Sequence, residues 1–178
     1  MTDTPITAAS VDMDAINNAE VDTLTIAGSA SVSNSSTAFG GAGSGSGNYI
    51  DATTIASISN PSGVQVVNAA GGAVSVNALD NAKINADAGA GALAVSTASS
   101  GNNAGAVAIG AAMAVNHITK TTTAEVHAAT VTSAAFTTEA LSTSEIDAFT
   151  FAVSGSLSSG SGTLALSGAG SGSGNEVT

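Results

Sequence analysis

Polar and apolar side chains alternate one by one along most of this chain. In residues 23–33 the even positions Leu24, Ile26, Ala30 and Val32 are apolar, and Thr23, Thr25, Ala27, Ser29 and Ser31 stand between them. In residues 148–158 the bulky set is Phe149, Phe151, Val153 and Leu157, separated by Ala148, Thr150, Ala152, Ser154 and Ser156. The middle of the chain carries an alanine ladder, Ala86, Ala88, Ala90, Ala92 and Ala94, opposite Gly89, Gly91, Leu93 and Val95. A period of two puts successive side chains on opposite faces of an extended strand. Glycine and threonine at this density oppose an alanine-rich helix. The pattern therefore predicts strands, each with one bulky face and one face of Ala, Ser and Thr. Turn-forming clusters at 33–36, 99–103 and 158–162 separate the alternating runs, which predicts one long hairpin per unit. Asn60-Pro61-Ser62-Gly63 is a further turn, and Pro61 marks the first unit's end.

The chain repeats itself. Residues 41–48, Gly-Ala-Gly-Ser-Gly-Ser-Gly-Asn, recur letter for letter at 168–175, an offset of 127 residues. A weaker half-period of 63 residues aligns Asn18-Ala19-Glu20-Val21-Asp22 with Asn81-Ala82-Lys83-Ile84-Asn85. Residues 1–178 read as a single repeat array with units near 6–63, 64–130 and 131–178, the last cut short. The expected fold is all-β: a β-solenoid-like array with long Gly/Ala/Ser-rich hairpins, with stacked β-sandwich repeats as the alternative.

Comparing units exposes a second pattern. In the first strand, units 1 and 3 are bulky at Leu24, Ile26, Phe149 and Phe151, where unit 2 has Gly89 and Gly91. In the second strand, units 1 and 3 carry glycine runs and unit 2 carries Val107, Ile109, Met113 and Val115. Large side chains packed against small ones would satisfy an interface, so Leu24, Ile26, Phe149 and Phe151 are expected to be at least half buried. Glu20, Lys83 and Glu145 alternate in sign at equivalent positions, which fits units stacked directly on one another. The short third unit leaves an open edge, so the expected partner is the chain itself or adjacent repeats, head-to-tail.

Composition narrows the function classes. The net charge is −11, with only two basic residues, Lys83 and Lys120, which disfavours a nucleic-acid partner. There is no Cys, so neither disulfides nor thiolate metal sites arise. No signal peptide follows Met1. The apolar run 104–115 is shorter than the roughly 20 residues a spanning helix needs, and 3% aromatic residues do not supply a barrel's girdles, so the chain is read as not membrane-spanning. A hydrophobic fraction of 43% and regular alternation oppose disorder.

No nucleophile elbow, phosphate loop or dinucleotide fingerprint is present, and the chain is read as no enzyme, with no catalytic, cofactor or metal residues assigned. His117 and His127 stand ten residues apart, about 33 Å along one strand, too far to share a metal. Structural calcium, if any, would fall on Asp12 and Asp14, or on Asp22 and Asp147; the alternative is solvated acids. Asn34-Ser35-Ser36 is one glycosylation sequon. Asn48, Asn116 and Asn175 hold one position in all three units, as either a lateral side-chain ladder or turn residues.

The run Ala114-Val115-Asn116-His117-Ile118-Thr119-Lys120-Thr121-Thr122-Thr123-Ala124-Glu125-Val126, and less closely residues 47–58, resembles the Gly/Ala/Val-rich repeats of large bacterial surface and secreted proteins of the filamentous-haemagglutinin and autotransporter-adhesin kind. Gly-Ala-Gly-Ser-Gly-Ser resembles the crystalline repeat of silk fibroin. The first resemblance implies an extracellular or cell-surface β-solenoid stalk or adhesin segment acting as a structural filament module. The alternative is an adhesive module for a surface glycan or protein, for which Tyr49 and His117 are the chief candidates. A lower reading is ice binding through Thr23/Thr25, Thr121/Thr123 and Thr130/Thr132.

Overall fold

The computed structural model describes residues 5–34, 36–60, 66–99 and 101–178. Pro61, Ser62 and Gly63 of the expected turn, Ser35 of the sequon and Ser100 lie outside the described residues. Seven strands follow one another: β1 (Ile6–Thr7), β2 (Val11–Ser33), β3 (Thr37–Ser59), β4 (Val66–Thr97), β5 (Asn103–His127), β6 (Thr130–Ser159) and β7 (Gly162–Val177).

The strands form two parallel sheets. In the first, β4 is central, with β2 and the short β1 along one side and β6 along the other; in the second, β5 lies between β3 and β7. Each unit contributes one strand to each sheet, so β2–β3, β4–β5 and β6–β7 are three arches stacked side by side. Stacking is in register: Val11 pairs with Val74 and Val74 with Phe136, while Asn48 pairs with Asn116 and Asn116 with Asn175. One irregularity interrupts it, a shift between Ala69 and Ala73 of β4 against β6, beside Gly71 and Gly72.

The architecture corrects the expected one in two ways. Neither sheet closes or coils, so this is a two-sheet sandwich and not a β-solenoid; the filament and adhesin-stalk character that the solenoid carried falls with it. The two arms of a unit also do not bond to each other as a hairpin, since every ladder runs between units. An arch turns the chain through a right angle to the sheet, so each arm finds its hydrogen-bond partners in the next unit.

The core lies between the sheets and is built from small side chains. At one end Val11, Ala56, Ile58, Val67, Val74 and Val76 pack together; midway Ile50, Ala82, Ile84, Ala114 and Ile118 do so. Towards the other end the buried set is alanine alone: Ala88, Ala90 and Ala112, then Ala38, Ala92, Ala94, Ala106 and Ala108. There the sheets nearly touch. A Cβ at Gly40 would lie 2.6 Å from the Leu93 carbonyl oxygen, and one at Gly110 would lie 2.7 Å from that of Val153. Alanine burial supplies little apolar area, so the saturated backbone ladders and close sheet contact carry more of the stability than in an ordinary core.

Bulky side chains consequently point outward. Leu24, Ile26, Phe149 and Phe151 are 69, 75, 64 and 47% exposed, which overturns their expected burial across an interface. The pairing of large with small survives in another direction. Gly89 registers with Phe151 on the outer face, and its missing side chain leaves room for the ring, whose Cε1 would stand 2.7 Å from a Cβ there.

Candidate functional site

Two rows built by parallel in-register stacking, and one ion pair between the sheets, stand out in this molecule's polar chemistry. Equivalent residues of neighbouring units lie one strand spacing apart, so any position shared by the units becomes a line across the sheet.

The first row is buried at Asn48 and Asn116 and reaches the exposed Asn175 on edge strand β7. Asn48 Nδ2 donates to Asn116 Oδ1 at 2.8 Å, and Asn116 Nδ2 donates to Asn175 Oδ1 at 2.8 Å. Thr23 Oγ caps the line by donating to Asn48 Oδ1 at 2.6 Å across the sandwich. The asparagines form a ladder and not turns.

The second feature is an ion pair inside the sandwich. Asp80 points inward from β4 and is fully buried, and Lys120 reaches it from β5 with its side chain 3% exposed. Their Nζ and Oδ1 are 2.9 Å apart. The contact is ionic and off the line of a good hydrogen bond, because the ammonium protons are aimed at the main-chain carbonyls of Asp80, at 2.8 Å, and Thr143. Oδ2 accepts from Thr54 Oγ at 2.8 Å and weakly from Asn17 Nδ2 at 3.4 Å. Burial by itself would raise the Asp80 pKa; the Lys120 ammonium beside it and the hydrogen bonds from Thr54 and Asn17 together hold it below the usual value of 3.8. The sequence reading missed this pair. The signal was present: Asp80 is in phase with Ala78 and Ala82, and Lys120 with Ile118 and Thr122, each on the small inward-facing set.

The second row lies on the outer face of the second sheet, where Tyr49, His117 and Glu176 are register partners. Tyr49 and His117 stack with centroids 5.1 Å apart and planes 6° from parallel. His117 Nδ1 lies 3.1 Å from Glu176 Oε2, and Nε2 lies 2.7 Å from Thr119 Oγ. Because β3 is an edge strand, only one ring face of Tyr49 is covered, and the residue is 59% exposed. Asp51, two residues along the same face, stands beside the phenol.

Thr119, His117 and Glu176 have the connectivity of a hydroxyl–base–acid relay. Their surroundings do not complete it. The main-chain amides around His117 are spent in ladders on both sides of β5, which leaves no N–H pair to stabilise an oxyanion. The row sits on an open sheet face. Its geometry suits binding.

No known protein-family model, curated protein or solved structure is detectably similar to this chain. Geometry alone must carry the functional reading.

The other candidates scatter. Asp12 accepts from Ser75, and Asp14 from Asn77 Nδ2 at 2.9 Å, so each is paired along the sheet. Asp22 and Asp147 are separated by Asn85 of β4, two strand spacings or roughly 9–10 Å, and Lys83 sits 4.0 Å from Asp147. They do not share an ion. Among the described residues no group of three or more His, Asp or Glu converges as metal ligands. His127 faces outward on β5, ten residues from His117. Thr23 and Thr25 face the sandwich interior, whereas Thr121 and Thr123 lie on the second sheet's outer face and Thr130 and Thr132 on the first sheet's. The threonine rows therefore share no face. Lys83 lies between Glu20 and Glu145 in register and 3.4 Å from Glu145, as the alternating charges predict. Among the described residues no helix is long and apolar enough to cross a membrane.

Proposed function

We propose that this chain is a glycan-binding module that works without turnover, outside the cell or at its surface. The observation that carries the reading is the Tyr49 ring, braced on one face by His117 and open on the other at a sheet edge. Sugar rings bind aromatic faces through their apolar C–H surfaces, and the stacked pair fixes the tyrosine with little further entropy to lose on binding. Asp51, beside the phenol on the same edge strand, supplies an acceptor at the rim of the ring, an oriented polar group of the kind that a sugar's hydroxyls need. A net charge of −11 selects neutral or amino sugars over sulfated and sialylated ones.

The test is titration of the isotope-labelled chain with neutral, amino-, sialylated and sulfated oligosaccharides, followed by amide shifts. Shifts centred on Tyr49, His117 and Thr119 for neutral or amino sugars, lost in Tyr49→Ala and kept in Tyr49→Phe, are the expected result. Saturable shifts elsewhere, or none with any sugar, would remove the reading.

A further inference from the structure

The outer face of the second sheet has a relief that nothing in the chain itself fills. Ile109, Ala111, Met113 and Val115 form a ridge on central β5, with Ile109 and Met113 both 59% exposed. Gly168, Gly170, Gly172 and Gly174 of β7 lie beside it in register, residue for residue. A Cβ added at any of these four glycines would meet nothing within 4 Å. These glycines make a furrow, and an open groove of about 830 Å³ runs over this part of the face, lined by Ala111, Met113, Val115, Gly170, Gly172 and Gly174 and reaching Gly43 of β3. Gly41, Gly43, Gly45 and Gly47 make a second furrow on β3.

Ridge and furrow are therefore equal in length, one strand apart and at the same height. We propose that this face dimerises with a second copy of the chain about a two-fold axis parallel to the strands and between β5 and β7. That axis lays each copy's ridge into the other's furrow: Ile109 over the partner's Gly168, Ala111 over Gly170, Met113 over Gly172 and Val115 over Gly174. At the end of the ridge, His117 falls over the partner's Glu176, so unlike groups meet twice. The contact is isologous and closes at two copies.

Charge chooses this face from the others. In a chain of net charge −11 the strip from Phe39, Val107 and Leu166 to Gly47, Val115 and Gly174 carries no charged side chain. Pairing edge to edge in register would instead set Glu145 beside the next copy's Glu20 and Asp147 beside Asp22. The outer face of the first sheet bears Asp12, Asp14, Glu20, Asp22, Asp87, Glu139, Glu145 and Asp147 with Lys83 alone against them. Lipid is a poor occupant, because the flanking β3 and β7 edges carry unpaired main-chain groups that hydrocarbon cannot satisfy. Tyr49 lies on the strand away from the axis, so this inference and the glycan reading fail independently.

Sedimentation equilibrium of the full chain over a wide concentration range tests it. A reversible monomer–dimer equilibrium is expected. Gly172→Leu fills the furrow without touching its own fold and should weaken association by roughly tenfold or more. Met113→Ala trims the ridge and should weaken it less. An equimolar mixture of the two variants should recover mixed dimers, since the introduced leucine then faces the trimmed ridge. A wild-type chain that stays monomeric throughout, a Gly172→Leu chain that melts normally and dimerises like wild type, or disruption by Gly45→Leu in place of Gly172→Leu would each overturn the proposal. If Gly172→Leu fails to fold, Met113→Ala alone decides: unchanged association refutes the contact and weakened association supports it.

Discussion

Lys120 crosses from one sheet of the sandwich to the other and sets its ammonium 2.9 Å from the carboxylate of Asp80, with both side chains almost wholly shielded from water. In a core made mostly of alanine, this pair fixes how the two sheets sit on each other.

Removing one partner leaves the other buried and uncompensated. Lys120→Met should cost about 3–5 kcal/mol of stability, measured by urea unfolding. The double variant Asp80→Leu with Lys120→Met should recover most of that loss, because paired apolar replacement restores a compensated interior. Equal losses in the single and double variants would show that the pair acts through packing and not charge.

Asp80 also imposes a pH dependence of known sign. Its folded-state pKa lies below the usual 3.8, so its contribution is complete above pH 3.8 and is lost as pH falls from there through the depressed folded value. The stability difference between wild type and Asp80→Asn should be constant above that pH and shrink below it. A difference that grows on acidification would contradict the assignment.

Asn116 is the middle rung of the asparagine ladder and is bonded on both sides. Asn116→Leu orphans the buried Asn48 amide donor and should cost about 1–3 kcal/mol; Asn175→Ala, at the exposed edge, should cost no more than about 1. Thermal or urea melts of the two variants give the comparison.

Glycines divide into two kinds by what surrounds them. Gly110→Ala would drive a methyl to 2.7 Å from the Val153 carbonyl oxygen and should destabilise by about 1–3 kcal/mol. Gly170→Ala meets open space and should change stability by no more than about 0.5 kcal/mol. Similar losses in both would show that close sheet spacing is not what requires glycine at position 110.

Ala128, in the turn between β5 and β6, has φ of 52°, where a Cβ is strained. Ala128→Gly should stabilise the fold by up to about 1 kcal/mol, read as a rise in Tm.

The sequence by itself determined that the chain is strands, that its units align, and that Glu20, Lys83 and Glu145 share a row. Those features follow from a side-chain period of two and from lateral stacking, both of which are local or repeat themselves in the letters. It also marked Tyr49 and His117 as the chief candidates for a binding site, though not that their rings stack. Only the tertiary structure decided which face is inside. Alternation proves that the two faces of a strand differ, and hydrophobicity then points to Leu24 and Phe149 as core. The sandwich buries the alanine face instead, because only small side chains let the main chains meet at Gly40 and Gly110. The same rule hid Lys120 and Asp80, whose positions belong to that small face. Arch and hairpin also share one pattern of strands and turns. They differ in whether a strand bonds to its own unit or to one some 60 residues away, a choice made by long-range packing that no local run of residues records.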